Sequence, residues 1–348
     1  MIKELTSLRG LFILFIFFHH LGVYPGGGSM AVAFFFVLGG FSMTLGYKDR
    51  LSRPDFGYRQ YITRRAIKFY PLHWLCLLAA LPLVGLPSTM KQGGVFMLNA
   101  ALMQTLLPLK PLFFSYNAVS WYLADTLFFA VVFPPLLRLI LKASTRGRTV
   151  VATAISLLYA AAVISLPTKL YHPILYISPY ARLVDFVFGI FLALAYMRLS
   201  KSGIVENLPK STYLWIVFVV GLILLLVIES CLLVGNPVIN IAPVYFVPIG
   251  LLVLSASMLG RTGGGYNILQ NKYLLSFGDL SFTIFLTHQL VLRYGVILQN
   301  HLHVNNGKAF ALITLTTTIV GSYILDRYIL KPITRWLTKR IQPSTTAR

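Results

Sequence analysis

The chain has 348 residues, of which 57% are hydrophobic and only 11% charged, against roughly 25% charged in a soluble domain. That composition excludes an ordinary soluble enzyme and points to a polytopic membrane protein. The net charge of +21 does not indicate nucleic acid, because Lys and Arg cluster between apolar runs, where they border a bilayer.

A span needs about 20 mainly apolar residues. Taken in order, such runs fall near 5–24, 30–47, 71–88, 118–140, 149–166, 180–197, 212–234, 241–259, 279–299 and 309–330. A further run, Gly93 to Pro108, is short and bounded by Gly-Gly and Pro. The basic segments decide its placement. Lys48, Arg50, Arg53, Arg59, Arg64, Arg65 and Lys68 precede the third run, and Arg138, Lys142, Arg146 and Arg148 follow the fourth. Both segments should face the cytoplasm, so an even number of spans separates them. Residues 93–108 are then re-entrant or interfacial. The same choice puts Arg198, Lys201, Lys210, Arg261, Lys272 and the terminal Lys331, Arg335, Lys339 and Arg340 inside. The expectation is an all-α integral membrane protein with about ten transmembrane helices and both termini cytoplasmic. It forms one domain over 1–340, followed by a disordered polar tail at 341–348.

The two cysteines, Cys76 and Cys231, lie in apolar segments. They suggest neither a disulfide framework nor a metal site, and no His/Cys/Asp/Glu spacing calls for a metal. The Gly-rich "GRTGGGY" lacks the Lys-Ser/Thr of a P-loop. The first apolar run has no small-residue cleavage site and reads as a retained span.

That run opens with Arg9 and closes with His19 and His20. A charge at the bilayer centre costs at least roughly 2.5–3.5 kcal/mol, so it is kept only where something offsets the cost. Eleven residues of helix are about three turns, so Arg9 and His20 share nearly one face, roughly 16 Å apart along the axis. His19 points about 100° away. From spacing alone two readings stay open: a reactive pair, or a snorkelling Arg with interfacial histidines. Among the nine acidic residues, Asp125 and Asp185 fall at a depth similar to His20. Either could hold the second ring nitrogen of His20, though Arg182, three residues before Asp185, is an equally good partner for it. His288 lies mid-span, where a lone His either lines a cavity or packs with its polarity satisfied. His73 lies beside Trp74 at the interface or near a donor path, and His172, His301 and His303 fall in loops.

"LTSLRGLFILFIFFHH" followed by "SMAVAFFFVLGGFSMTLGY" resembles the membrane acyltransferase-3 family, bacterial O-acetyltransferases of lipopolysaccharide, exopolysaccharide and related glycans. The Arg9–His20 interval matches that family's opening. The run Phe35 to Phe41 resembles its "FFVLSGF", with Gly39 in place of Ser. "ITRRAIKFYPLHW" resembles its Arg-Arg-x-x-Arg-x-x-Pro segment, with Lys68 at the last basic position. "SWYLADTLFFAVVFP" resembles its Trp…Phe-Pro segment, although the family's Glu would fall at Thr126 and the acid here is Asp125. "ARLVDFVFGIFLALAY" and "FGDLSFTIFLTHQLV" resemble two later stretches.

The resemblance implies an acyl-CoA-dependent O-acyltransferase of the bacterial inner membrane, acetyl-CoA being the donor. The acceptor would be a hydroxyl of a glycan or lipid-linked sugar. His20 would be general base or acyl carrier, Asp125 and Asp185 its catalytic partners. Arg9, Arg64, Arg65 and Lys68 would bind the donor's phosphates, and Trp121 and His288 the acceptor. The rival class is a transporter or flippase whose buried charges line a permeation path. Its helices would be broken at places such as Gly39-Gly40 or Pro134-Pro135.

Overall fold

In a computed structural model the described residues are 2–24, 27–202, 212–232, 242–261, 268–303 and 306–341. Lys210, the central glycines of "GRTGGGY" and the tail beyond 341 lie outside them. Every regular element among the described residues is helical. The order is α1 (Lys3–His20), α2 (Gly27–Leu51), α3 (Tyr58–Val84), α4 (Met90–Ala100), α5 (Lys110–Phe113), α6 (Ser120–Lys142), α7 (Thr145–Ser165) and α8 (Thr168–Leu170). A π-helical turn, Tyr171–Ile177, leads into α9 (Pro179–Lys201). Then come α10 (Thr212–Leu232), α11 (Phe246–Leu259), α12 (Lys272–His301), α13 (Gly307–Ile324) and α14 (Lys331–Ile341).

Among the described residues eight helices are long and apolar enough to cross a membrane, α13 and α14 counting as one. Hydrogen-bonded helices are what a chain this apolar must form, because lipid offers backbone groups no partner. The remaining two of the apolar runs are α1, which has 18 residues but carries Lys3, Glu4 and Arg9, and the 14-residue α11. The short run ends differently. α4 has 11 residues, about 16 Å of helix, too little for a core about 30 Å thick. Leu102 then turns at φ 56°. Both proposed break points, Gly39-Gly40 and Pro134-Pro135, lie inside continuous helices, α2 and α6.

The chain divides into two compact units. The first comprises Met1–Phe56 and Val132–Asp279. Its tightest contact is between α2 and α9. A Cβ on Gly40 would stand 2.0 Å from the Phe186 carbonyl oxygen, and one on Gly189 would stand 2.0 Å from that of Val37. Only glycine lets the two backbones approach so closely, the small-residue packing usual where lipid gives no hydrophobic drive. Thr6 and Gly278 repeat the device, with 1.8 Å between the Thr6 oxygen and a hypothetical Gly278 Cβ. The Ser7 hydroxyl donates to the Leu269 carbonyl at 2.5 Å. By contrast α7 buries no residue, as a lipid-covered helix should.

The second unit comprises Gly57–Val131 and Leu280–Arg348. Here α3 holds the short helix α4. The last-turn carbonyls of a helix lack partners within it. Tyr70, His73 and Trp74 share one face of α3, at i, i+3 and i+4. The Tyr70 hydroxyl donates to the Ala101 carbonyl (2.9 Å), His73 Nε2–H to Asn99 (2.7 Å) and Trp74 Nε1–H to Ala100 (3.0 Å). At the other end, Thr89 and Gln92 form a reciprocal capping box. The entry to α6 is pinned to α12. Asn117 Nδ2 donates to the Leu286 carbonyl (2.9 Å), the Val119 amide to Gln289 Oε1 (3.1 Å) and Arg293 Nη1 to the Tyr116 carbonyl (2.9 Å).

Candidate functional site

The residues singled out from the sequence fall in both units: Arg9, His20 and Asp185 in the first, Arg64, Arg65, Lys68, Trp121, Asp125 and His288 in the second.

In the first unit His20 is the last residue of α1 and is exposed, while Arg9 is half-buried. The Nδ1 of His20 lies 2.9 Å from the Ile16 carbonyl. A carbonyl only accepts, so Nδ1 carries the hydrogen and, in the neutral ring, Nε2 holds the basic lone pair. His19 goes elsewhere. Its ring stands against the N-terminus of α2, where a Cβ on Gly28 would come within 2.7 Å of it. The two imidazoles meet edge to face, 5.1 Å apart, so the 100° offset between neighbours separates an exposed ring from a packed one.

Asp185 is wholly buried and its Oδ2 is 3.0 Å from Arg182 Nη1, the i, i+3 pair that the sequence left open. Arg182 also donates through Nε to the Tyr176 carbonyl (2.8 Å) and lies over the rings of Tyr176 (4.6 Å) and Phe36 (5.8 Å). The π-helical turn thus presents a carbonyl and an aromatic face to one guanidinium. The pair is only partly satisfied, since Arg182 Nη2 and Asp185 Oδ1 lack hydrogen-bond partners.

Sequence reasoning passed over two acids. Glu4 is buried and accepts from Gln270 Nε2 at 2.6 Å, which ties the start of α1 to the segment before α12. Glu229, in α10, is wholly buried. It is hydrogen-bonded to the Tyr245 hydroxyl and lies within electrostatic range of Tyr24 and Tyr176. The signal was present in the sequence: with so few acids, a Glu inside "LLLVIESCL" stands out.

In the second unit Arg64 and Lys68 are exposed and Arg65 is half-buried over the Tyr61 ring at 5.4 Å. Tyr61 is itself fixed by donation to the Ala130 carbonyl (2.9 Å). Lys68 lies 5.9 Å from the Phe69 ring. Guanidinium groups projecting from one helix turn can grip phosphate oxygens in pairs. Trp121 and Asp125 occupy the first turns of α6 and are buried. Tyr122, beside them, packs on Phe285 at 4.7 Å, and Phe285 on His288 at 6.0 Å. His288 is fully buried, its Nδ1–H directed at the Phe285 (2.7 Å) and Ile284 (3.1 Å) carbonyls. His73 is occupied in holding α4.

The first unit can supply an imidazole base and buried carboxylates, the second a buried carboxylate and a basic helix turn. Comparison with known proteins gives these features a family. Residues 2–327 match the family model described as "Acyltransferase domain". The chain is also 30% identical over 340 residues to "Acyltransferase MdmB" of Streptomyces mycarofaciens, covering 92% of this chain and 84% of that protein. No solved structure matches. With its helices long and apolar enough to cross a membrane several times, the chain belongs to the acyltransferase-3 family of multi-pass membrane acyltransferases.

Proposed function

We propose that the protein is an O-acyltransferase that moves an acetyl group from cytoplasmic acetyl-CoA to a hydroxyl of a glycan or lipid-linked sugar. It would sit in a bacterial inner membrane with about ten spans and both termini cytoplasmic, as the distribution of Lys and Arg suggests. The observation that carries the reading is His20, an exposed imidazole whose Nδ1–H is fixed by Ile16, so that Nε2 is the basic atom. By one route Nε2 takes the proton of the acceptor hydroxyl while its oxygen attacks the thioester carbonyl. The C–S bond then breaks, and the CoA thiolate recovers that proton. By the other, Nε2 attacks the thioester, the C–S bond breaks and the CoA thiolate leaves; the acceptor hydroxyl then attacks the acyl-imidazole, the N–acyl bond breaks to restore Nε2, and the hydroxyl proton goes to the thiolate. Arg64, Arg65 and Lys68, on adjacent turns of α3, suit the donor's phosphates, and in the first unit Asp185 acts through Arg182. Purified protein incubated with radiolabelled acetyl-CoA and a lipid-linked sugar should consume thioester and label the sugar. His20→Ala should abolish both. Thioester untouched by the wild type would overturn the reading.

A further inference from the structure

In the second unit α14 follows α13 through a π-helical turn, Leu325–Leu330, with no break in the helix. Between Lys308 and Asp326 the sequence carries no charge. That stretch is about 26 Å of helix, close to a hydrocarbon core about 30 Å thick, so α14 begins at the edge of the apolar layer. Its surface divides into three stripes. Leu330, Thr334, Leu337, Thr338 and Ile341 are buried or half-buried, on a helix that packs against α3. Lys331, Arg335 and Lys339 recur at i, i+4 and i+8 and are exposed. Ile333, Trp336 and Arg340 form the third stripe, exposed as well. At 100° per residue the basic and the aromatic stripes adjoin, opposite the packed one. The Arg340 guanidinium lies 4.0 Å over the Trp336 ring, which holds the indole in place on the open side.

We propose that this open face of α14 docks the headgroups of anionic phospholipids. The inference does not depend on the acyl-transfer reading. Charge selects the partner. Asp326 is the only acid between Gly307 and Ile341, and Lys331 pairs with it at 2.6 Å. Arg327, Arg335, Lys339 and Arg340 are then unbalanced, since among the described residues no carboxylate pairs with them. The neighbouring stripe selects a lipid surface over a soluble anion. Ile333 is 37% exposed and Trp336 52%. A phosphate in water would cover neither. At a bilayer surface the isoleucine and the indole enter the boundary of the acyl chains, while the cations beside them meet phosphate. Attachment to a span keeps the helix at that boundary. Because α14 packs against α3, bound lipid also braces the helix that carries Arg64, Arg65 and Lys68.

The test uses the full-length protein in nanodiscs of phosphatidylcholine with a minor fraction of phosphatidylglycerol, brominated chains being placed on one lipid or the other. Bromine quenches nearby tryptophan, and subtracting the Trp336→Phe signal isolates Trp336 from Trp74, Trp121 and Trp215. Brominated phosphatidylglycerol should quench Trp336 severalfold more than the same mole fraction of brominated phosphatidylcholine. Neutralising a basic residue near an anionic surface weakens association about fivefold. Arg335→Gln combined with Lys339→Gln should therefore remove most of the preference while quenching by phosphatidylcholine persists. Both side chains are exposed, so the fold should tolerate the change, and Arg335→Lys, which keeps the charge, should keep the preference. Equal quenching by the two lipids, or a preference unchanged in the doubly neutralised variant, would overturn the proposal. Quenching of Trp336 by neither lipid would overturn it too and hand the face to a soluble acidic partner. Loss of the preference to glycerol phosphate, at an ionic strength matched with chloride, would make it a site for soluble phosphate instead.

Discussion

A neutral imidazole has one hydrogen and one lone pair, and the backbone of α1 uses the hydrogen of His20. That makes His20, not His19, the residue whose loss should be felt in the rate. A positioned general base contributes about 10²–10⁴-fold. His20→Ala should lose that factor in acetyl transfer and still bind acetyl-CoA. His19→Ala should keep most activity with some loss of stability, because its ring packs against Gly28. Rates and donor binding measured on both variants check this, and a dead His19→Ala with an active His20→Ala would reverse the assignment. Asp185 admits a cleaner separation of roles. Removing one partner of a buried ion pair costs about 3–5 kcal/mol, so Asp185→Ala should lower the thermal midpoint sharply. The double change of Arg182 and Asp185 to Met and Leu should recover much of that loss. If the double variant is stable and inactive, the carboxylate does more than hold its neighbour. Among the residues picked from sequence, the Arg182–Asp185 pairing was legible because i, i+3 charges on one helix meet whatever surrounds them. Glu229 was not, since its partners Tyr24, Tyr176 and Tyr245 come from other elements.

At the scale of elements, the apolar runs all became helices, because only length and hydrophobicity are needed to read them. What joins them was hidden. "FFVLGGF" shows that glycines are present, but not that Gly40 meets the Phe186 carbonyl, since that contact depends on the register of α2 against α9. Gly40→Val should therefore destabilise more than Gly39→Val, although the positions are adjacent. At Gly39 an added Cβ meets only the Phe186 ring at 3.8 Å. Midpoints of unfolding in detergent would rank the two, and an equal loss would mean that the backbone contact is not what matters. The segment "FYPLHW" held a similar surprise. His73 read as a candidate for the donor path or the interface, and the structure adds that its Nε2–H closes the end of α4. His73→Phe should remove one of the hydrogen bonds to the Asn99 carbonyl, to which the Leu102 amide still donates, at a cost of about 0.5–1.5 kcal/mol, with donor affinity unchanged.

For the molecule as a whole, the sequence supplies sidedness through charge, and helix length constrains what can cross. An 11-residue α4 followed by a turn suits a segment that enters and leaves by one face. Cysteines introduced at Gly93 and Pro111 should be labelled from the same, outer side. Opposite-side labelling would break the ten-span arrangement. The basic turn of α3 would then be cytoplasmic and within reach of a soluble donor. Arg64→Ala and Arg65→Ala should raise the KM for acetyl-CoA more than they lower turnover at saturation. An unchanged KM with collapsed turnover would move these residues from binding to chemistry.

The glycine crossing of α2 and α9 also acts as a gauge. Phe36 lies one turn from Gly40, and Asp185 one turn from Gly189, so a contact with no side chain between the backbones sets how deep the Arg182 guanidinium lies beside the Phe36 ring. A slip of one residue would drive a Cβ into a carbonyl, which leaves the pair a single register. The two helices must then move as one piece, and the height of the ion pair in the membrane is copied from a distance rather than from any charge. Moving the ion pair to a different depth would begin by relocating the glycines, leaving Arg182 and Asp185 as they are.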